Sequence, residues 1–184
     1  QKFTYASPVT HHVIDKNALK SLYLWEASNG TKRLINLFPI PLLDGGHLLL
    51  SDAEKNELIL KEPKIEKFIK PLISAYEFLN GEKRWCLWLK NANPTELKEA
   101  KLVTERVENV RKLRAESTRQ ATQKLASFPT LFGEDRQPDS DYVLIPLHSS
   151  ENRKYIPMGF FGRDDIVSNS CHMVPNGTLY HFGV

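Results

Sequence analysis

The densest group of chemically capable side chains is the stretch SSENRKY at residues 149–155. It brings together hydroxyls, a carboxylate, an amide, a guanidinium, an ammonium and a phenol. The guanidinium of Arg153 has the geometry to bond O6 and N7 of guanine, and the amide of Asn152 can bond N6 and N7 of adenine, whereas Ser and Lys commonly bind phosphate. A polar hairpin loop would have the same composition. The residues alone therefore leave nucleic-acid contact and a plain loop both open.

A nuclease site is a second interpretation of this stretch. Asp139 and Glu151 precede Arg153 in a pattern similar to the Asp…Glu-x-Lys site of restriction nucleases. The final lysine of that site has a pKa that can be tuned, whereas an arginine stays charged and cannot serve as a base. Two carboxylates at such loose spacing are also common by chance. We therefore expect no catalytic residue here.

A zinc site would have to use Cys86, Cys171, His148 and His172, which lie far apart in the sequence and lack the paired spacings of zinc sites. With only two cysteines, a disulfide framework does not organise the fold. We expect both cysteines to be buried thiols, the histidines to lie at the surface, and no metal to be bound.

Residues 35–47 are similar to the Asn-x-x-Pro-x-Pro-x-Leu-Asp-Gly-Gly signature of site-two intramembrane proteases, whose Asp binds zinc. Such a protease also needs a His-Glu-x-x-His helix and several membrane spans, and this sequence has neither. Residues 44–46 are instead predicted to form a turn with glycines at positive φ. Without a signal peptide or an apolar run of spanning length, a cytoplasmic protein with no membrane partner is expected.

The first half of the sequence is predicted to be mainly helical. Ser51 and Glu54 have the spacing of a capping box, which predicts a helix that ends near Glu62. A second short helix is predicted over residues 64–70, and the aromatic segment at 84–89 is typical of a strand.

The strongest helix signal covers residues 94–126. Asn93 is a favourable N-cap and Pro94 fits the first helical position. Apolar or small side chains recur at helical spacing from Leu97 to Leu125. We therefore predict one long amphipathic helix of about 45 Å.

This predicted helix carries the whole net charge of +3, because residues 96–124 hold eight Lys or Arg and five Glu. Its apolar stripe must face protein, so part of its basic surface, with Arg111 and Arg114, is expected to point outward. Such a surface could contact phosphates along a duplex, or could be a solvated face with ion pairs between neighbouring turns. Both interpretations stay open.

The second half of the sequence is rich in short strand-like segments separated by turn residues, at 142–147, 155–161, 171–174 and 178–182. The predicted fold class is therefore α+β, in which a helical N-terminal half with one long helix packs on a mostly antiparallel, strand-rich C-terminal half.

Eight short motifs, in this order and spacing, resemble one protein family. They are DGGHLLLS at 44–51, EP at 62–63, KFIKP at 67–71, NG at 80–81, RWCLWL at 84–89, RQP at 136–138, SSENRKYIP at 149–157 and TLYHFG at 178–183. Together they resemble the target-recognition region of MmeI-like type IIG restriction–modification DNA adenine methyltransferases. The resemblance covers residues 40–184 and does not extend to residues 1–39, and we expect this region to be truncated at both ends.

The resemblance implies a role in sequence-specific DNA recognition. In this family one polypeptide joins a nuclease domain, an adenine methyltransferase domain that uses S-adenosylmethionine, and the specificity region. The expected partners are double-stranded DNA and the methyltransferase domain of the same polypeptide. The catalytic Asn-Pro-Pro-Tyr motif and a glycine-rich cofactor motif are absent from these 184 residues, so no cofactor is expected to bind here. A scaffolding lobe without base contacts is the alternative.

The resemblance also implies which residues meet DNA. Because the 149–155 stretch is stereotyped in the family, its cations are expected to bind phosphate, and the less stereotyped stretch after Gly162 is expected to read bases. The expected phosphate-binding residues are Arg111, Arg114, Arg136, Ser149, Ser150, Arg153 and Lys154. The expected base-reading residues are Arg163, Asp164, Asn169 and His172.

Overall fold

The computed structural model of the chain describes residues 43–133, 135–150, 152–153, 155 and 157–180. Its helices are α1 (Asp52–Lys61), α2 (Ala75–Asn80), α3 (Pro94–Glu99), α4 (Lys101–Ala115) and α5 (Gln120–Lys124), with 3₁₀ helices at Pro63–Phe68 and Leu125–Ser127. Its strands are β1 (Leu49–Leu50), β2 (Ile69–Ile73), β3 (Trp85–Leu87), β4 (Tyr142–Pro146), β5 (Gly159–Phe161), β6 (Ile166–Val167) and β7 (Cys171–Pro175).

The strands form two sheets. The first has the order β1-β3-β2-β6 and is antiparallel except where β6 joins β2 in parallel, with Leu72 opposite Ile166 and Ile73 opposite Val167. The second has the order β5-β4-β7 and is antiparallel throughout. The α+β class is confirmed, but the first sheet takes three of its four strands from the half that was predicted to be helical.

The parallel β2–β6 pair belongs to both hydrophobic cores. Successive side chains of a strand point to opposite faces, and accordingly Leu72 and Ile166 pack into the core between the first sheet and the helices. Their neighbours Ile73 and Val167 pack into the core of the second sheet. One face of this strand pair therefore packs in each of the two cores.

Helix α1 begins where the sequence predicts. The hydroxyl of Ser51 accepts the amide of Glu54 (3.2 Å), and the Glu54 carboxylate accepts the amide of Ser51 (2.9 Å). Arg106 on α4 reaches the same carboxylate (2.9 Å) and also donates to the carbonyls of His47 and Leu49. The local capping box is thus also a contact between α1, α4 and the first strand.

A second capping box was not predicted. The hydroxyl of Ser74 accepts the backbone amide of Tyr76, and the carboxylate of Glu77 accepts the backbone amide of Ser74. These two bonds cap the start of α2. Gly81 ends this helix at a φ of 68°, a left-handed conformation that favours glycine. The predicted helix over residues 64–70 is instead a 3₁₀ helix that ends at Phe68, because the following residues pair with β3.

The predicted single helix over residues 94–126 is wrong in one respect, because the chain forms α3, α4 and α5 there. The first break is at Ala100, whose ψ of 85° is not helical. The carboxylate of Glu62 accepts the amide of Leu102 (2.9 Å) and so caps α4 from a distant part of the sequence. At the second break the hydroxyl of Ser117 accepts the amide of Arg119 (3.2 Å). These side chains compete with continued helical hydrogen bonding.

The strand predicted over residues 178–182 is also wrong where it can be compared, because residues 179–180 are helical. Residues 181–184 lie outside the described part of the chain. Strands predicted at 84–89, 142–147 and 171–174 are confirmed as β3, β4 and β7, and the strand predicted at 155–161 is confirmed over its last residues as β5.

Arg114 is the buried hub of the helical half. Its side chain has no solvent exposure. The guanidinium donates to the carbonyls of Leu43 (2.7 Å), Leu125 (3.2 Å), Phe128 (2.9 Å) and Leu131 (2.7 Å). Burial lowers the pKa of this guanidinium, and the negative charge of a nearby carboxylate opposes that effect. The expectation that Arg114 binds phosphate is therefore corrected, because the side chain is buried and donates four hydrogen bonds to backbone carbonyls inside the protein.

We expect Arg114→Leu to lower the free energy of unfolding by about 3–5 kcal/mol, because it leaves four backbone carbonyls without their donor. Arg111→Leu, on the exposed face of the same helix, should change stability by less than about 0.5 kcal/mol. Urea unfolding followed by circular dichroism measures both. A destabilisation below about 1 kcal/mol for Arg114→Leu would show that these four hydrogen bonds do not stabilise the helical half.

Candidate nucleic-acid interface

Antiparallel pairing in the second sheet decides which loops are neighbours. The last residue of β4 pairs with the first residue of β7, so the loop after β4 and the turn before β7 meet at one end of the sheet. The amide of Leu147 donates to the carbonyl of Ser170 (2.9 Å) and extends this pairing. We call the described residues of 147–153, together with residues 168–170, the loop end.

The first part of the loop end presents polar side chains to solvent. Ser149, Ser150 and Arg153 are all exposed. The amide of Arg153 donates to the carbonyl of Ser150 (3.1 Å), and the amide of Asn152 donates to the Ser150 hydroxyl (3.3 Å). These bonds bring the backbone of Arg153 back to Ser150, so two hydroxyls and a guanidinium belong to one short turn, and such groups bind phosphate oxygens.

The second part of the loop end is anchored to the first sheet. Ser168 is buried, and its amide donates to the carbonyl of Ile73 (3.0 Å). The hydroxyl of Ser170 accepts the amide of Ala75 (2.8 Å). Asn169, between the two serines, is exposed. The exposed side chain of Asn169 therefore belongs to a turn that hydrogen bonds hold at both neighbouring residues.

His172 lies in β7 directly after this turn and is half-buried. Its neighbours Cys171 and Met173 point into the core of the second sheet. Alternation along the strand therefore puts His172 on the opposite face of the sheet. It is closer to the loop end than to the other end.

The two remaining predicted base readers lie at the opposite end of β4. The first residue of β4 pairs with the last residue of β5, and the turn after β5 holds Arg163 and Asp164. The two ends of β4 are about 15 Å apart at roughly 3.3 Å per residue. The two residues of β6 connect this turn to Ser168, and Arg163 and Asp164 precede Asn169 by six and five residues. The structure thus divides the four predicted base readers between two sites.

The end of the second sheet at which β4 begins is acidic. Lys70 and Asp164 form an ion pair (2.8 Å) whose hydrogen bond lowers the pKa of Asp164. Asp141 accepts the amide of Arg163 (3.4 Å), and a carboxylate oxygen of Asp165 accepts an amide of the same turn. Three carboxylates face one lysine and one arginine there, a balance that disfavours approach of a phosphate backbone.

The other predicted phosphate ligands are scattered. Arg111 is exposed on α4, with its guanidinium 3.4 Å from the carboxylate of Glu108. Arg136 is half-buried. Lys154 lies outside the described residues. Of the predicted ligands, the structure therefore groups Ser149, Ser150 and Arg153 with Asn169 and, nearby, His172.

The motifs that were considered for metal chemistry have structural roles. Gly45 and Gly46 have φ values of 61° and 84°, which confirms the predicted turn, and the Asp44 carboxylate accepts the amide of Leu48 (2.9 Å). Cys86 and Cys171 are free thiols buried in separate cores, as predicted, and burial raises the pKa of Cys171 to about 12.

Among the residues that the structure describes, no group of three or more His, Cys, Asp or Glu side chains is arranged to hold a metal ion. Nor does any helix in the described ranges have the length and apolar character that crossing a membrane requires.

The family model described as "MmeI, target recognition domain" matches residues 37–184. The chain belongs to the MmeI target recognition domain family. A solved structure of the type IIL restriction-modification enzyme MmeI in complex with DNA is similar, with a TM-score of 0.76 and 39% sequence identity over 79% of this chain. DNA methyltransferase A of Bacillus subtilis (strain 168) is 37% identical over 141 residues, which is 77% of this chain. The target recognition domain spans 16% of that methyltransferase and 19% of the solved MmeI chain.

Sequence reasoning missed the side chains that hold the turns of this target recognition domain in place. The side-chain nitrogen of Gln137 donates to the carbonyl of Asp165 (2.8 Å), and the side-chain oxygen of Gln137 accepts the backbone amide of Val167 (3.2 Å). The hydroxyls of Ser168 and Ser170 are 2.9 Å apart and brace the turn beneath Asn169. No local pattern reveals the role of Gln137, because its partners lie 28 and 30 residues away in the sequence.

Proposed function

We propose that this chain is the sequence-specific DNA-recognition domain of a restriction–modification adenine methyltransferase. In this role it holds duplex DNA in place while another domain of the same polypeptide flips out the target adenine and methylates N6. The observation that carries the proposal is the similarity, at a TM-score of 0.76 and 39% identity, to MmeI solved with DNA. The methyltransferase relative, of which this chain spans 16%, supports a catalytic domain elsewhere in the polypeptide.

S-adenosylmethionine is the methyl donor that the proposal assigns to that other domain. Within the described residues, three strands are followed directly by a helix, through Ser51 between β1 and α1, Ser74 between β2 and α2, and residues 88–93 between β3 and α3. None of these connections contains the glycine-rich loop that lets a backbone approach such a cofactor. The residues present here therefore do not fit the cofactor.

The loop end supplies the phosphate contacts in this proposal. Arg153 provides charge and a forked donor, and the hydroxyls of Ser149 and Ser150 provide short-range hydrogen bonds. Lys154, next in sequence, is proposed to contribute a second charge. These contacts fix the register of the domain on the duplex and carry no sequence information themselves.

Asn169 is the proposed base reader, with His172 beside it. An asparagine amide can donate to N7 and accept from N6 of adenine in the major groove. Discrimination between bases is greatest when the side chain extends from a rigid backbone. Hydrogen bonds to β2 and α2 hold the turn that carries Asn169. We leave Arg163 and Asp164 out of the DNA surface, because they lie in the acidic turn at the other end of the sheet.

We expect Arg153→Ala in the full-length protein to weaken binding to duplexes of any sequence. The slope of log affinity against log salt should become shallower by about 0.9 for each phosphate that the variant no longer neutralises. Fluorescence anisotropy over a salt series measures this. The control is Lys64→Ala, which removes one exposed positive charge at a distant site. If Arg153→Ala binds duplex DNA with wild-type affinity at low salt, Arg153 is not a phosphate ligand. Duplex binding that ignores salt altogether would favour a scaffolding lobe.

We expect Asn169→Ala to relax the methylated motif at one position, because a bidentate contact contributes about 1–3 kcal/mol of base discrimination. Sequencing of modified DNA from cells that express the full-length variant measures the motif. Asn91→Ala, which also removes an exposed amide, is the matched control and should keep the wild-type motif. An unchanged motif in the Asn169→Ala strain would show that this side chain does not read bases.

A further inference from the structure

We propose that Lys112, Arg119 and Lys124 form a second DNA contact surface, which grips the phosphate backbone independently of sequence. We call these three residues the α4–α5 basic surface. The inference rests on the proposed function and deepens it, because it assigns the duplex a contact on the helical half of the fold in addition to the loop end.

The break in the predicted long helix is what forms this surface. Val103, Val110 and Arg114 mark the buried face of α4, so Lys112 lies on its outward face. Arg119 follows the turn at the end of α4, and Lys124 closes α5. All three cations are exposed.

Positive charge exceeds negative charge on this surface. Lys112 has Glu108 and Glu116 one turn away on either side, but Glu108 pairs with Arg111, and residues 117–124 include no acidic residue. None of the ion pairs formed within the described ranges involves Lys112, Arg119 or Lys124. Their combined field is therefore available to an external polyanion.

The lysines at positions 61–67 show the contrast. Each of three exposed lysines there is paired with a glutamate, at nitrogen–oxygen distances of 2.5, 3.0 and 2.8 Å. The pairs are Lys61–Glu57, Lys64–Glu99 and Lys67–Glu96. These three lysines are thus neutralised within the protein, whereas no ion pair in the described ranges neutralises the α4–α5 basic surface.

The buried guanidinium of Arg114 fixes the α4–α5 basic surface in position. It belongs to α4 and donates to the carbonyls of Leu125 and Phe128, which follow α5 directly. The Gln123 side chain adds a bond to the carbonyl of Ser117 across the turn (2.8 Å). The cations therefore project from a braced support, which lowers the entropic cost of ordering them on a partner.

Duplex DNA is the partner that the chemistry favours. The side chains are long, charged and exposed, and this arrangement suits sequence-independent contact with phosphates. An acidic protein surface could also be held by such charges, and the experiment separates the two.

The experiment compares two triple variants of the full-length protein that remove the same charge. One is Lys112→Ala/Arg119→Ala/Lys124→Ala, and the control is Lys61→Ala/Lys64→Ala/Lys67→Ala. Binding to a duplex oligonucleotide of random sequence is measured over a salt series, and thermal unfolding confirms that both variants are folded. We expect the first variant to bind about tenfold more weakly or worse, with a salt slope that is shallower by about 0.9 for each phosphate left unneutralised, and the control to stay close to wild type.

Equal effects of the two triple variants would overturn the inference, because they would reflect net charge alone. Wild-type affinity and slope in the first variant would also overturn it and would point to an acidic protein surface as the partner. In both cases, weakened binding of Arg153→Ala would leave the proposed function standing. A wild-type protein that binds no duplex would instead remove the proposed function itself.

Discussion

The parallel hydrogen bonding between β2 and β6 is the contact on which the arrangement of the candidate interface depends. It pairs a strand from the first half of the chain with one from the second half, and its side chains enter both cores. The carbonyl of Ile73 at the end of β2 also accepts the amide of Ser168, which fixes the turn that carries Asn169. Together with the hydrogen bond from the amide of Ala75 to the hydroxyl of Ser170, this pair connects the loop end to the helical half.

Burial and pairing sort the cations of this domain into three groups. Arg114 is inside the protein, where four carbonyls satisfy its guanidinium. Lys61, Lys64 and Lys67 are exposed but paired with glutamates. Arg153 at the loop end and the three cations of the α4–α5 basic surface, which we assign to DNA, are exposed. Net charge alone does not distinguish these groups, because every member contributes equally to the total of +3.

Local chemistry was predictable from the sequence and long-range chemistry was not. The capping box at Ser51, the glycine turn after Asp44 and the strands β3, β4 and β7 follow from patterns of a few residues, and all are present. The single helix over 94–126 was wrong because Glu62 caps α4 from outside the predicted segment. Arg114 was taken for a phosphate ligand because a sequence does not show which arginine will find buried carbonyls. Likewise, strand order separated Asp164 from Asn169.

Hydrogen–deuterium exchange of the full-length protein, with and without saturating cognate duplex, tests the central claim most directly. If the loop end meets DNA, amides of residues 147–150 and 168–170 will exchange more slowly in the complex, while those of the acidic turn at residues 162–165 will keep their rates. Unchanged exchange at the loop end in a sample that is demonstrably bound to DNA would contradict the account. Protection of the acidic turn alone would place the duplex at the other end of the second sheet.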